Sequence, residues 1–246
     1  MRWSPTLFRW HRWLGYLVAL QVLAWMVGGL IFSWVPFQAW VKSGDVFRKP
    51  IQPLPTSLVA AVNSLPTDQG ELLALQSVAT AAGPALKLRY AKGEVFISAN
   101  GGSLPTPQSA QIAEYAKSLY TGDAPMVSVT LLDVVPSRLG LVREMGEKQN
   151  LWQVLFDDAL KTRFYFDNRS GEFLAARNEA WVLYDFLWRL HVMDYRGGED
   201  FNNFLLRAAS VVALLLTLTG LTLSALAIRR NVRKRSAASQ SSRHPA

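Results

Sequence analysis

The sequence predicts an α+β membrane protein, with two transmembrane helices flanking a domain of two helix-plus-antiparallel-sheet units. Three observations carry this. Two charge-free apolar runs, Trp13–Val35 and Ala208–Ile228, are each long enough for a helix to cross the ~30 Å of hydrocarbon that needs roughly 20 residues. The net charge of +8 lies outside them: Arg2, Arg9 and Arg12 precede the first run, and Arg229, Arg230, Arg233, Lys234, Arg235 and Arg243 follow the second, with no acid in either flank. Between the runs, short alternating apolar stretches are separated by turn residues, the pattern of small antiparallel sheets.

Because the middle of the chain is nearly charge-balanced, the basic surplus belongs to membrane topology and not to a nucleic-acid groove. Residues 1–12 and 229–246 are then cytoplasmic flanks of transmembrane segments 13–35 and 204–228, by the positive-inside rule. The middle falls outside a bacterial inner membrane, in the periplasm. The first run is longer than a signal-peptide core, and bulky Phe32-Ser33-Trp34-Val35-Pro36-Phe37 follows where a peptidase needs small residues, so an uncleaved anchor is expected. The absence of cysteine excludes a disulfide framework, a thiolate metal site and a cysteine nucleophile.

Residues 36–56 read as a linker punctuated by Pro36, Pro50, Pro53 and Pro55. In 57–106 a short helix over Leu58–Val62 ends before Pro66. Strands follow over Leu72–Val78, Ala85–Tyr90 and Glu94–Ser98, and Asn100-Gly101-Gly102 closes them as a turn. The order recurs in 107–177. A helix over Ser109–Tyr120 carries Ile112, Tyr115, Ala116 and Leu119 on one face. Strands over Met126–Asp133, Leu151–Phe156 and Thr162–Asp167 follow, with Asp157-Asp158 at a hairpin tip and Glu172-Phe173-Leu174 leading out. Residues 178–203 hold an aromatic helix, Asn178–Leu190, and a loop, with Asp200 or Asn202 as the cap of the second transmembrane helix.

The stretch Trp152–Phe156, followed by Thr162–Phe166 and Asp167-Asn168-Arg169-Ser170-Gly171-Glu172, resembles the PepSY domain, in which a hairpin leads to a strand ending in Asp-x-x-(Thr/Ser)-Gly-Glu. The first unit, with Asn100-Gly101-Gly102-Ser103 at the matching place, resembles a degenerate copy. His11-Arg12-Trp13-Leu14-Gly15 and Trp188-Arg189-Leu190-His191 resemble the histidine-bearing helix ends of PepSY-associated membrane proteins. The chain is thus similar to half of the four-helix members of ferric-siderophore-reductase type. That resemblance implies b-type haem and electron transfer to a periplasmic acceptor such as a ferric chelate.

Of three histidines, His244 lies in a polar tail read as disordered. His11 stands at the cytoplasmic edge of the first helix, with Gly15 on the same face leaving room beside the ring and Arg12 or Arg9 available to haem propionates. It reads either as an axial haem-iron ligand or as an interfacial residue of an aromatic belt. His191 ends the stripe Trp181, Tyr184, Trp188, with Arg189 and Arg196 nearby and Asp194 placed to orient the imidazole. That stripe reads as a cofactor box or as a membrane-surface anchor.

With both termini inside, His11 and His191 stand about 30 Å apart across the hydrocarbon. One haem therefore cannot take both from one chain, and a homodimer or heteromeric membrane partner is expected if haem is bound. The pairs Gly15/Ala19, Ala24/Gly28, Ala209/Ala213 and Gly220/Ser224 offer helix contacts, and Gln21 an interhelical hydrogen bond. No phosphate loop, His-x-x-x-His pair or Gly-x-Ser-x-Gly elbow appears, which argues against a hydrolase. The other function class left open is a cofactor-free accessory protein whose PepSY module binds a partner protein.

Overall fold

The computed structural model describes residues 3–51, 54–62, 65 and 69–241. Arg2, Pro53, Pro66 and the tail residues Arg243 and His244 lie outside the described residues. The chain divides into two compact units, Met1–Ser33 with Leu187–Ala246, and Trp34–Phe186. The elements in chain order are α1 (Trp3–Trp34), α2 (Thr56–Ala61), β1 (Leu72–Thr80), β2 (Gly83–Tyr90), β3 (Gly93–Ser98), α3 (Ser109–Leu119), β4 (Met126–Val134), β5 (Gln149–Phe156), β6 (Arg163–Asp167), β7 (Phe173–Arg177), α4 (Glu179–Val192) and α5 (Phe204–Ser241).

The first unit is built on α1 and α5. Each contains a span of 30 residues apolar enough to cross a membrane, Pro5–Trp34 and Phe204–Arg233. Helix α1 begins ten residues before the apolar run, so Arg9, His11 and Arg12 are helical. The only proline there, Pro5, sits in the first turn, where a missing N–H costs no hydrogen bond. Helix α5 continues past Ile228 through a basic stretch free of Gly and Pro. A Cβ built on Gly15 would lie 3.8 Å from Leu216, and one on Gly220 only 3.0 Å from the His11 ring. These glycines therefore set the approach of α1 to α5 within one chain.

The second unit holds two antiparallel sheets, one ordered β1-β2-β3 and the other β4-β5-β6-β7. Ile112, Ala116 and Leu119 of α3 pack on Val154, Phe156, Phe164 and Phe166, all buried, as the helical spacing predicts. The opposite face of β6 is buried too: Tyr165 packs with Met145, Leu151 and Ala175. In the first sheet Leu58 and Ala61 of α2 cover Leu86, Leu88, Tyr90 and Ile97.

The expected linker is more structured than its prolines predict. Phe37–Val41 form a π-helical turn. Phe47 enters the second core, stacking on Phe173 at 4.8 Å and meeting Phe164 edge-on at 5.3 Å. Arg48 N–H donates to Leu119 O and Thr121 N–H to Val46 O, so the segment seals the C-terminal end of α3. One aromatic inserted among prolines has no period to betray it.

Candidate functional site

His11 faces α5. Its Nδ1 lies 3.0 Å from Thr219 Oγ1, and its ring covers Gly220. The Thr219 hydroxyl also lies 2.9 Å from the Leu215 and Leu216 carbonyls. Thr219 thereby fixes the imidazole and leaves Nε2 as the second nitrogen, the arrangement that orients a metal-binding histidine through its other nitrogen. Arg12 is exposed on α1.

His191 is placed by a different device. It occupies the last turn of α4, its ring stacked on Trp188 with centroids 6.1 Å apart and tilted 5.9 Å from Trp25. Among the described residues no hydrogen bond to either ring nitrogen is formed, while its backbone is tightly held. Gln21 Nε2 donates to Leu190 O at 2.8 Å, and Trp25 Nε1 to His191 O at 2.9 Å. Asn203 Nδ2 donates to Val192 O at 2.8 Å, and its Oδ1 accepts from Leu206 N–H. Asn203, one residue beyond the expected positions, is thus the cap of α5. Gln21 does make its expected bond to another helix, through a carbonyl that α4 itself leaves unpaired.

Three sequence expectations change here. Asp194 does not reach the imidazole: its carboxylate accepts from the backbone N–H groups of Arg196, Gly197, Glu199 and Asp200. Burial alone would raise its pKa, but these donors outweigh that and hold it down to about 2. Arg189 is buried, its Nη1 donating to Arg196 O at 2.9 Å and its guanidinium set against Gly198, so it braces the loop. The separation of the histidines also shrinks. Trp25, beside His191, is 14 residues from His11, or ~21 Å along α1 at ~1.5 Å per residue. The distance still forbids one haem between both rings of one chain.

In the second unit the Asp-x-x-Ser-Gly-Glu stretch is a structural joint. Asp167 Oδ1 accepts from Arg169 N–H, Ser170 N–H and Ser170 Oγ. Gly171 has φ +67°, and a Cβ there would lie 2.8 Å from Ala81 Cβ. Gly171 O accepts from Ala81 N–H at 3.0 Å, and Glu172 pairs with Lys87 of β2 at 3.0 Å. Burial would lower the Lys87 pKa, but Glu172 and Glu94 outweigh it and raise it. The turn docks the first sheet on the second.

Beside β6 lies a buried charge cluster that the sequence reading missed. Glu144, with its side chain 1% exposed, accepts from Arg163 Nε at 3.0 Å and Nη2 at 2.6 Å, and from Tyr165 Oη. Arg163 Nη1 and Arg138 Nη2 both donate to Glu179 Oε1 at 2.8 Å. Burial works against ionised Glu179, yet its two arginines hold its pKa below the usual range. Burial, then Glu144, push the Tyr165 hydroxyl well above its usual pKa. These groups, with Val135, Pro136 and Leu155, line a cleft of about 330 Å³. Every buried charge in it is partnered, the pattern of a structural network.

The family of the PepSY-associated TM region matches residues 8–244. The chain belongs to this family. It is accordingly a membrane protein, with α1 and α5 as its membrane helices. No curated protein and no solved structure matches it. Within this PepSY-associated protein the Asp167–Glu172 turn holds two sheets together. Among the described residues no three His, Asp or Glu side chains converge as a metal site.

Proposed function

We propose that this PepSY-associated membrane protein binds b-type haem through His11 and His191, and passes electrons across the membrane to a periplasmic acceptor such as a ferric chelate. The observation that carries the reading is the state of the two imidazoles: His11 is oriented by Thr219 through one nitrogen, and His191 sits between Trp188 and Trp25 with its ring nitrogens unbonded among the described residues. Both fit the donor chemistry of a haem iron, which accepts neutral imidazole nitrogen. Haem, when bound, supplies a one-electron couple. The chain supplies two ligation levels ~21 Å apart along α1, each needing a second imidazole from another chain, so the reading includes a homodimer or a heteromer.

In this reading the arginine flanks set both termini in the cytoplasm and the sheets in the periplasm of the inner membrane. Full-length protein purified in detergent from haem-replete cells should give a reduced-minus-oxidised haem spectrum. His11→Ala and His191→Ala should each reduce it and together abolish it. A colourless wild-type protein, or an unchanged spectrum in the double variant, overturns the reading.

One observation favours the alternative of a cofactor-free accessory protein. Among the described residues edge strand β4 pairs only with β5, and it exposes Val127, Leu131 and Val134, as a partner-binding edge would. A colourless protein that loses a co-purifying partner on Leu131→Lys would support it.

A further inference from the structure

We infer that Gln21 and Trp25 of α1 are positioning residues for His191, acting by capping the C-terminal carbonyls of α4. The inference rests on the reading of His191 as a haem ligand. An α-helix leaves its last four carbonyls without partners, and these need side-chain or solvent donors. Here the end of α4 meets α1 at Gln21 and Trp25, inside the apolar span Pro5–Trp34. Apolar surroundings offer no water to the carbonyls, so the donors must come from protein.

Three donors are present for three successive carbonyls. Gln21 Nε2 serves Leu190 O, Trp25 Nε1 serves His191 O and Asn203 Nδ2 serves Val192 O. Gln21 and Trp25 are four residues apart and so share one face of α1. The middle carbonyl is that of His191 itself. Trp25 therefore holds the backbone that carries the imidazole while its indole lies beside the ring. Met193, just past the helix, has φ +54°, the left-handed turn that stops α4. The helix can then neither extend nor fray without breaking these bonds, and the ring of His191 keeps one position.

The test uses full-length protein in a His11→Ala background, which leaves the haem held at His191. Gln21→Leu and Trp25→Phe keep the bulk and remove the donors. Two readouts are taken: deuterium uptake of peptides spanning residues 187–203, which needs no haem, and the electron-paramagnetic-resonance g-values of the oxidised haem. Both variants should raise the uptake several-fold and shift or broaden the haem signal.

Unchanged uptake would show that the caps do not hold the helix end. Faster uptake with an unmoved haem signal would refute the positioning role while leaving haem binding intact. If the wild type holds no haem, the haem reading and this role fall together, and the uptake arm alone reports whether the caps hold.

Discussion

Replacing Glu144 by Gln perturbs the most buried charge among the described residues of the second unit. Its carboxylate takes two bonds from Arg163 and one from Tyr165 with 1% of its side chain exposed, while the Arg163 side chain is 6% exposed. Glutamine preserves shape but offers one acceptor oxygen and turns an NH2 group towards a guanidinium. Removing one partner of a buried ion pair costs about 3–5 kcal/mol, because the other charge stays desolvated. For a unit of roughly 150 residues, each kcal/mol moves the unfolding midpoint by about 2–4 °C, which gives a drop of roughly 6–20 °C. Near-ultraviolet circular dichroism of the detergent-solubilised protein follows the packing of Phe156, Phe164 and Tyr165 during heating. The double variant Glu144→Leu with Arg163→Met should recover most of the loss, since an apolar pair replaces the charges. A shift below about 2 °C for Glu144→Gln would refute the burial of this pair.

Other consequences follow from the same geometry. Gly171→Ala places a Cβ against Ala81 in a left-handed backbone and should cost about 1–3 kcal/mol, read as a lower melting midpoint. Glu179 has a depressed pKa, so its stabilisation is present above its ordinary value of 4.5 and is lost as pH falls through the lower folded value. A melting series below pH 4.5 should show that loss, and Glu179→Gln should flatten it. Asp194, also depressed, holds the 193–203 loop above its ordinary 3.8 and releases it as pH falls towards about 2. Deuterium uptake of that loop should therefore rise across this window, and Asp194→Asn should raise it already at neutral pH. Asn178 caps α4 through Trp181 N–H and binds Ser43 Oγ at 2.9 Å, so Asn178→Ala should cost about 1–2 kcal/mol in the same melts.

The parts of the fold that repeat were legible in the sequence. Two charge-free runs gave the membrane helices, and the apolar run Leu151–Phe156 and helical spacing at Ile112–Leu119 gave a strand of the second sheet and its covering helix. The Asp167–Glu172 turn was visible as a motif, but its partner Ala81 was not, because docking of one sheet on another leaves no local pattern. Phe47 was hidden among prolines for the same reason. Glu144, Arg163 and Glu179 lie far apart in sequence and meet only through the folding of β6 beside α4. At the histidines, the contacts that place the rings were not readable. Gln21 announced an interhelical bond as a lone amide in an apolar run, yet its acceptor, a carbonyl at the end of α4, depended on where that helix stops.

The proposed haem ligation at two levels of the membrane helices is tested most directly by the reduced-minus-oxidised spectrum of the purified full-length protein. The expected result is a b-type haem signal that each of His11→Ala and His191→Ala diminishes and the double variant abolishes. A wild-type protein that stays colourless after expression with ample haem would contradict it.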